Sequence, residues 1–369
     1  MEPTPQNRLH LPGLLLNELE EACVALGQPA YRAQQIADWF YNKRAQSFDA
    51  MRNLPADFRR QLAEKIDLYR ASVEQRLDAP DGTVKLLLKL ADGARVETVL
   101  IPEADRLTCC VSSQVGCAMG CACCASGMCG FERNLAAGEI VEEVLYAGDA
   151  ANAPSQADAS LSAAAPSSVH GRRVTHIVVM GVGEPMANYK AVIKALRIIN
   201  AEWALGVAAR RITVSTVGFP AAIERLAHEG LQINLAISLH APNDRIRNEI
   251  VPANRKIGID KLLHAARHYF AKTGREITFE YALIAGLNDG VAAAEELARR
   301  LKGFPCTVNV IPYNPVHELG FEAPTDEAVQ EFIDVLHRRG IRATIRRPRG
   351  VEISAACGQL RATKIEGKR

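Results

Sequence analysis

The chain has 369 residues, which at about 150 residues per domain predicts two or three domains. Hydrophobic residues make up 48% and charged residues 23%, with 44 Lys and Arg against 42 Asp and Glu, so wholesale disorder is excluded and the net charge is only +2. No apolar run approaches the roughly 18 residues of a membrane-spanning helix, and the opening MEPTPQNRLHLPGLLLNELEE has too short an apolar stretch for a signal peptide; a cytoplasmic chain with no membrane association is expected.

Residues 1–75 read as a small helical domain. Leu15, Leu19, Ala22 and Leu26 share one helical face, and Leu54, Phe58, Leu62 and Ile66 share another, at spacings of three and four. Arg52, Arg59, Arg60 and Lys65 lie on or near the second helix, with Trp39, Phe40 and Tyr41 upstream. Across 76–105, VKLLLKL from Val84 and ARVETVLIPE from Ala94 flank Asp92-Gly93, a hairpin signal; a linking hairpin is predicted.

From about 106 to the end, short apolar strands alternate with amphipathic helices. Strands are predicted at HIVVMGVG from His176, RITVSTVG from Arg211, INLAISLH from Ile233, ITFEYALIAG from Ile277, TVNVIPYNP from Thr307 and ATIRRPRG from Ala343. Such alternation predicts a parallel sheet covered by helices, as an open sheet or a barrel, with functional residues at the carboxyl ends of the strands. About 150–172 the chain is rich in Ala, Ser and Pro, and reads as a disordered insertion.

Seven of the ten cysteines fall between Cys109 and Cys129. In a reducing compartment such clustering reads as metal, cluster or thiol chemistry rather than a disulfide framework. Cys117, Cys121 and Cys124 have C-x3-C-x2-C spacing, so three thiolates on one loop can hold three irons of a 4Fe-4S cluster and leave the fourth open. The alternative is a structural zinc knot with Cys123 or Cys129 as a fourth ligand. Between Arg338 and Arg369, ten basic residues face two acidic ones, and Arg346, Arg347 and Arg349 lead into the Cys357 segment, as expected of a face that attracts phosphate. His228, His264, His268 and His337 lie on predicted helical faces and are assigned no role.

The cysteine spacing resembles the radical S-adenosylmethionine superfamily. The resemblance narrows with Cys110-Val-Ser-Ser-Gln-Val-Gly-Cys117, Gly130-Phe131-Glu132-Arg133-Asn134-Leu135, Gly181-Val182-Gly183-Glu184-Pro185, Ile237-Ser238-Leu239-His240-Ala241-Pro242-Asn243-Asp244 and Ala355-Ala356-Cys357-Gly358-Gln359-Leu360. In this order and spacing they resemble the RNA adenosine methyltransferases of the RlmN and Cfr type. The implied fold is a partial (β/α)6 radical-SAM barrel with a small helical accessory RNA-binding domain.

The resemblance also implies an activity and its site. Carbons 2 and 8 of adenine have no nucleophilic lone pair, so a radical route replaces direct displacement. One 4Fe-4S cluster on Cys117, Cys121 and Cys124 is implied, with two S-adenosylmethionine molecules per turnover as methyl donor and radical source. Cys357 would carry the methyl group. Cys110 would accept the base proton and release the product by forming a disulfide with Cys357, and Glu97 would act as acid or base near the reacting centre. Strand alternation sends Cys109 and Cys110 to opposite faces, and the register from Cys117 favours Cys110 as the one facing the site. A raised pKa is expected for Glu97 if it lies beside an apolar pocket. Gly183, Glu184, Ser215, Ser238, Leu239, His240 and Asn314 match the family's cofactor-contact positions, with Gly181 and Gly183 allowing close backbone approach and Glu184 pairing with the ligand ammonium.

The implied substrates are adenosine C2 in 23S rRNA and in tRNA at position 37, with a flavodoxin-like electron donor and a monomeric chain. Two alternatives stand: Cfr-type methylation at C8, and a zinc-holding RNA-binding protein without catalysis. Where the family usually has an aromatic before the third cluster cysteine, this chain has Cys123; Cys109 and Cys129 are further extra thiols.

Overall fold

The computed structural model describes residues 8–154 and 172–361. The central part of the expected insertion, and Lys364, Lys368 and Arg369 of the basic tail, lie outside the described residues.

The first part of the chain is mainly helical. β1 (Leu9–His10) pairs in parallel with β2 (Ile66–Asp67), and between them lie α1 (Leu16–Ala25), α2 (Arg32–Ala37) and α3 (Ala56–Lys65). α2 runs on into a π-helical turn, Asp38–Asn42, which buries Phe40 and Tyr41. Leu19, Phe58 and Leu62 are buried as their spacing predicts, while Arg52, Arg60 and Lys65 remain exposed. Thus Phe40 and Tyr41 serve as core, while Tyr31 is exposed and Trp39 is partly so, with Lys43 Nζ 4.2 Å from its ring centroid.

Next come β3 (Ser72–Asp78), β4 (Val84–Lys89) and β5 (Arg95–Glu103), an antiparallel meander. β4 and β5 form the predicted hairpin; β3 was not expected, because its only apolar residues, Val73 and Leu77, are four apart and fall at the end of a stretch read as helical. The hairpin is continuous with the main sheet, since β5 pairs antiparallel with β6 (Arg106–Val111).

β7 (Gln114–Gly116) and β8 (Phe131–Asn134) make a small separate hairpin around the cysteine loop. There follow α4 (Ala137–Ala150), β9 (His176–Val179), α5 (Tyr189–Asn200), β10 (Ile212–Thr216), α6 (Pro220–Leu226) and β11 (Asn234–Ser238). The chain continues with α7 (Asp244–Ile250), α8 (Asn254–Ile257), α9 (Ile259–Thr273), β12 (Ile277–Leu283), α10 (Val291–Leu301), β13 (Cys306–Pro312), α11 (Asp326–Arg338) and β14 (Arg342–Ile345).

The ten-stranded sheet has the order β14-β13-β12-β11-β10-β9-β6-β5-β4-β3. From β6 to β14 the pairing is parallel, and from β6 to β3 antiparallel. Each of the first six parallel strands is followed by helix, giving the partial (β/α)6 arrangement with β14 added, and the sheet stays open at β14 and β3. Helices bury apolar stripes on one side of it, among them Val192, Leu196 and Ile199 of α5 and Phe332, Val335 and Leu336 of α11.

α4 joins the parts. Glu142, fully buried, accepts from the backbone N–H of Arg70 and Ala71 and lies 3.4 Å from His10 Nε2. The next residue, Glu143, accepts from Ser112 N at 2.9 Å. Burial holds the Glu143 carboxyl well above its ordinary range. Among the described residues no helix is long and apolar enough to cross a membrane.

Candidate active site

The carboxyl ends of β9 to β13, the cysteine loop and the chain after β14 line a common cleft. Parallel strands place every βα loop on the same edge, so residues far apart in sequence meet there.

The cysteine loop is closed at its base by β7 and β8, where Cys117 N donates to Gly130 O at 2.7 Å. Gly116 has φ +72°, and a β-carbon there would run into the Gly130 carbonyl, so this close approach requires glycine. Cys117, Cys121 and Cys124 all line the cleft, with Cys123 beside them. Burial pushes the Cys117 thiol up to about 11 and Cys121 well above its ordinary value, and neighbouring thiols add to both. Bare thiolates are therefore disfavoured here, and bound iron would supply the missing positive charge.

Among the described residues, no three Cys, His, Asp or Glu side chains converge closely enough to hold a single metal ion. In a 4Fe-4S cluster each thiolate holds its own iron, and three thiols of one loop lining a common cleft fit that group.

Glu184 follows β9. Its Oε1 accepts from Met186 N and its Oε2 from Val217 N, both at 2.9 Å, tying two strand-end loops together. Burial raises its carboxyl to about 7, against the opposing pull of those N–H groups. A β-carbon at Gly181 would come 2.7 Å from Ser112 Oγ, and one at Gly183 would come 2.6 Å from Gln114 Cβ. The close backbone approach is to the segment after β6, part of the same chain.

Ser215 and Ser238 line the cleft with their hydroxyls 3.4 Å apart. His240 has φ +58° and its Nδ1 accepts from Ala282 N at 3.0 Å. Burial, then the nearby Arg247, lowers its pKa to about 3, so the ring is neutral at pH 7. Leu239 differs: its side chain lies in the main core and is not part of the cleft wall, while its carbonyl accepts from Arg247 Nε. Arg247 itself is fully buried, and burial brings its pKa down to about 10.

The segment from Gly350 to Arg361 straps across the cleft. Asn314 Nδ2 donates to Cys357 O at 3.1 Å, Ala125 N to Gly358 O at 2.7 Å, Ser126 Oγ to Leu360 O at 2.8 Å and Lys85 Nζ to Ser354 O at 3.1 Å. These bonds bring Cys357 into the cleft wall beside the cysteine loop. Cys110 is buried behind that wall with Val99, Val182, Ala355 and Leu360. Burial first, and Cys357 second, push the Cys110 thiol up to about 12. Cys109, one residue earlier, points into the main core beside Thr98, so strand alternation separates the two thiols.

Glu97 is buried under the same strap and also lies behind the cleft wall. It pairs with Lys85 Nζ at 2.9 Å, and its Oε2 accepts from Arg361 N at 2.7 Å. Lys85 and Glu97 stand two register positions apart on adjacent strands, on one face of the sheet. Glu97 thus sits in a buried ion pair.

Sequence reasoning missed Lys85, Met180, Glu280 and Arg346. Glu280, mid-strand in β12, lines the cleft and accepts from Asn309 Nδ2 at 2.8 Å. A single acid in ITFEYAL signals an inward polar position only once the strand register is known. Arg346, read as part of a phosphate-attracting run, instead lines the cleft with Nη1 3.4 Å from Met180 Sδ. Its charge is favoured by Cys357 first, then by Glu280 and Cys110. Arg347 and Arg349 remain exposed.

Comparison with known proteins bears on this geometry. Residues 9–68 match the ribosomal RNA large subunit methyltransferase N-terminal domain, and residues 168–301 match the radical SAM superfamily. The chain is 45% identical to a probable dual-specificity RNA methyltransferase RlmN of Rhodopirellula baltica, over 100% of this chain and 94% of that one. It is 46% identical to the protein of the same description from Acaryochloris marina, over 92% and 90%. A crystal structure of a radical SAM methyltransferase from Sphaerobacter thermophilus superposes with a TM-score of 0.88 at 47% identity, covering 96% of this chain and 100% of that one. Membership of the radical SAM superfamily implies a 4Fe-4S cluster and S-adenosylmethionine. A cleft that gathers three loop cysteines, a strand-end carboxylate and a C-terminal thiol, with identity sustained over the whole chain, leads to one conclusion: the chain belongs to the RlmN family of radical S-adenosylmethionine RNA methyltransferases.

Proposed function

We propose that this enzyme methylates carbon 2 of adenosine in 23S rRNA and in tRNA at position 37, using two S-adenosylmethionine molecules per turnover and Cys357 as the methyl carrier. The observation that supports this reading most is the strap that brings Cys357 to the cleft shared with Cys117, Cys121 and Cys124, with Cys110 buried behind it. A plain RNA-binding protein has no need of a C-terminal thiol held against a cysteine loop.

Cys117, Cys121 and Cys124 would hold the cluster. When bound, the cluster and S-adenosylmethionine supply a one-electron cleavage that yields a hydrogen-abstracting carbon radical. The chain's own groups do the rest. The Cys357 sulfur accepts a methyl group by displacement, and in losing its proton becomes a thioether whose methyl carbon can be activated. Asn314, through its bond to the Cys357 carbonyl, sets where that sulfur sits. Glu184, Ser215, Ser238 and His240 line the cofactor end, and Gly183 keeps the β9 turn tight. The bond between RNA and the Cys357 methyl carbon would be resolved when Cys110, having first given up its own proton, takes up the base proton. Its sulfur then attacks Cys357 sulfur while the proton it holds passes to the methylene carbon, so the carbon–sulfur bond breaks, the disulfide forms and a methyl group is left on the base. Glu97, beneath the strap, would move a proton at Cys110 or the base, with Lys85 holding its charge.

Peptide mass spectrometry after incubation with methyl-labelled S-adenosylmethionine tests the carrier. One labelled methyl on the Cys357 peptide is expected, and Cys357→Ala should lose methyl transfer while keeping its iron. Retained turnover in that variant contradicts the carrier role. Cys110→Ala should accumulate RNA covalently attached at Cys357; clean turnover without Cys110 would move the role to another thiol.

A further inference from the structure

A buried cation lies beneath the cysteine loop, and the steps above make no use of it. Arg247, on α7, is fully buried. Its Nε donates to Leu239 O at 2.9 Å, Nη1 to Asn254 Oδ1 at 2.6 Å, and Nη2 to Ser238 O at 2.9 Å and Val217 O at 2.5 Å. All four partners are neutral oxygens. Asp244 stands one group further off, accepting from Asn254 Nδ2 at 2.8 Å. The guanidinium therefore has its hydrogen bonds satisfied without a direct carboxylate countercharge, an arrangement that burial penalises.

The cysteine loop rests on the end of the same helix. Ala122 N, in the middle of the cysteine loop, donates to Ile250 O of α7 at 2.8 Å. Cys121 and Cys123 pack into one apolar group with Ile246, Ile250 and Val217. The helix that carries Arg247 is thus the floor on which the Cys121 corner of the loop rests. Of the charged and ionisable neighbours, Cys121 acts on Arg247 ahead of Asp244.

Taking the three loop cysteines as the ligands, as the proposed function does, we infer that Arg247 is a positioning residue whose fixed positive charge balances the thiolate-held cluster at its Cys121 corner and eases its one-electron reduction. Three thiolates bring three negative charges, and the incoming electron adds another. Cluster potential follows net charge, hydrogen bonding and solvent exposure. In a buried site a nearby cation acts with little screening. The four hydrogen bonds fix the guanidinium and, with it, the ends of β10 and β11 that carry Ser215 and Ser238.

The test is an EPR-monitored titration of the reconstituted holoenzyme with dithionite as the one-electron donor. Arg247→Gln removes the charge and keeps amide donors; Arg247→Lys keeps the charge and loses the fork. In Arg247→Gln the cluster should become at least tenfold harder to reduce, about 59 mV more negative for a one-electron couple, while Arg247→Lys stays within that margin of wild type. Both should melt at a lower temperature than wild type. A fully loaded Arg247→Gln protein with the wild-type midpoint overturns the inference, as does an equal shift in both variants. If Arg247→Gln does not fold, Arg247→Lys decides: a wild-type midpoint supports the role of charge, and a tenfold shift contradicts it. Iron and sulfide analysis separates the failures, because a wild-type chain that takes up no cluster overturns the cysteine assignment and this inference together, whereas a loaded one with unmoved potentials overturns this inference alone.

Discussion

Glu184 shows how one buried group imposes a pH dependence. Its carboxyl is raised to about 7 in the folded chain by burial, against an ordinary value of 4.5 in the unfolded one. Between these values the folded state binds the extra proton, so this group's contribution to stability falls as pH rises from about 4.5 to 7. The span corresponds to about 3 kcal/mol, counted at 1.36 kcal/mol per pKa unit. His240, lowered from 6.5 to about 3, works in the opposite sense: its contribution is present above 6.5 and is lost as pH falls toward 3. The two overlap between about 4.5 and 6.5, so wild type alone does not isolate either. The difference between wild type and Glu184→Gln does, and chemical denaturation of the cluster-free protein should show the variant gaining on wild type as pH rises through that window. A pH-independent difference would mean that Glu184 does not titrate there. A ligand ammonium placed against Glu184 would reverse the sign, since it favours the carboxylate.

At the scale of elements, the C-terminal strap and the β4–β5 hairpin form one unit. Lys85 reaches both Glu97 and Ser354 O, and Gly350 N donates to Asp81 Oδ2 at 3.0 Å. Lys85→Met leaves the Glu97 charge buried without its ammonium and should cost about 3 kcal/mol of stability by denaturant titration; a loss below about 1 kcal/mol would show that the other contacts of Glu97 suffice. Gly350 has φ +62°, and a β-carbon there would lie 2.8 Å from Thr83 Cγ2 and 2.9 Å from Ala355 Cβ. Gly350→Ala should therefore lift the strap, lowering methyl transfer and speeding limited proteolysis between 350 and 361, with iron content unchanged. Proteolysis at the wild-type rate with normal turnover would contradict the strap's role.

Across the whole molecule, the parallel sheet and its helices were legible because apolar strands such as INLAISLH and ITFEYALIAG alternate with periodic helices, and the cysteine spacing pointed to the loop. β3, the β7–β8 hairpin and the extension of the sheet through β5 were not legible: they depend on pairings between segments that carry no local signal of their own. The same limit governed the site. Cys117, Cys121, Cys124, Gly183, Glu184, Ser215, Ser238, His240, Asn314 and Cys357 share the cleft, whereas Lys85, Glu280 and Arg346 emerge only when strand register sets their direction. Long-range pairing also brings together Cys110 and Cys357, 247 positions apart in sequence. On the function proposed above, this convergence serves methylation of adenosine at carbon 2. The direct measurement is nucleoside analysis by chromatography and mass spectrometry after the reconstituted enzyme, S-adenosylmethionine and reductant meet unmodified 23S rRNA and tRNA. 2-Methyladenosine in both RNAs is predicted; 8-methyladenosine, or no methylated adenosine from a protein with its cluster intact, would contradict the account.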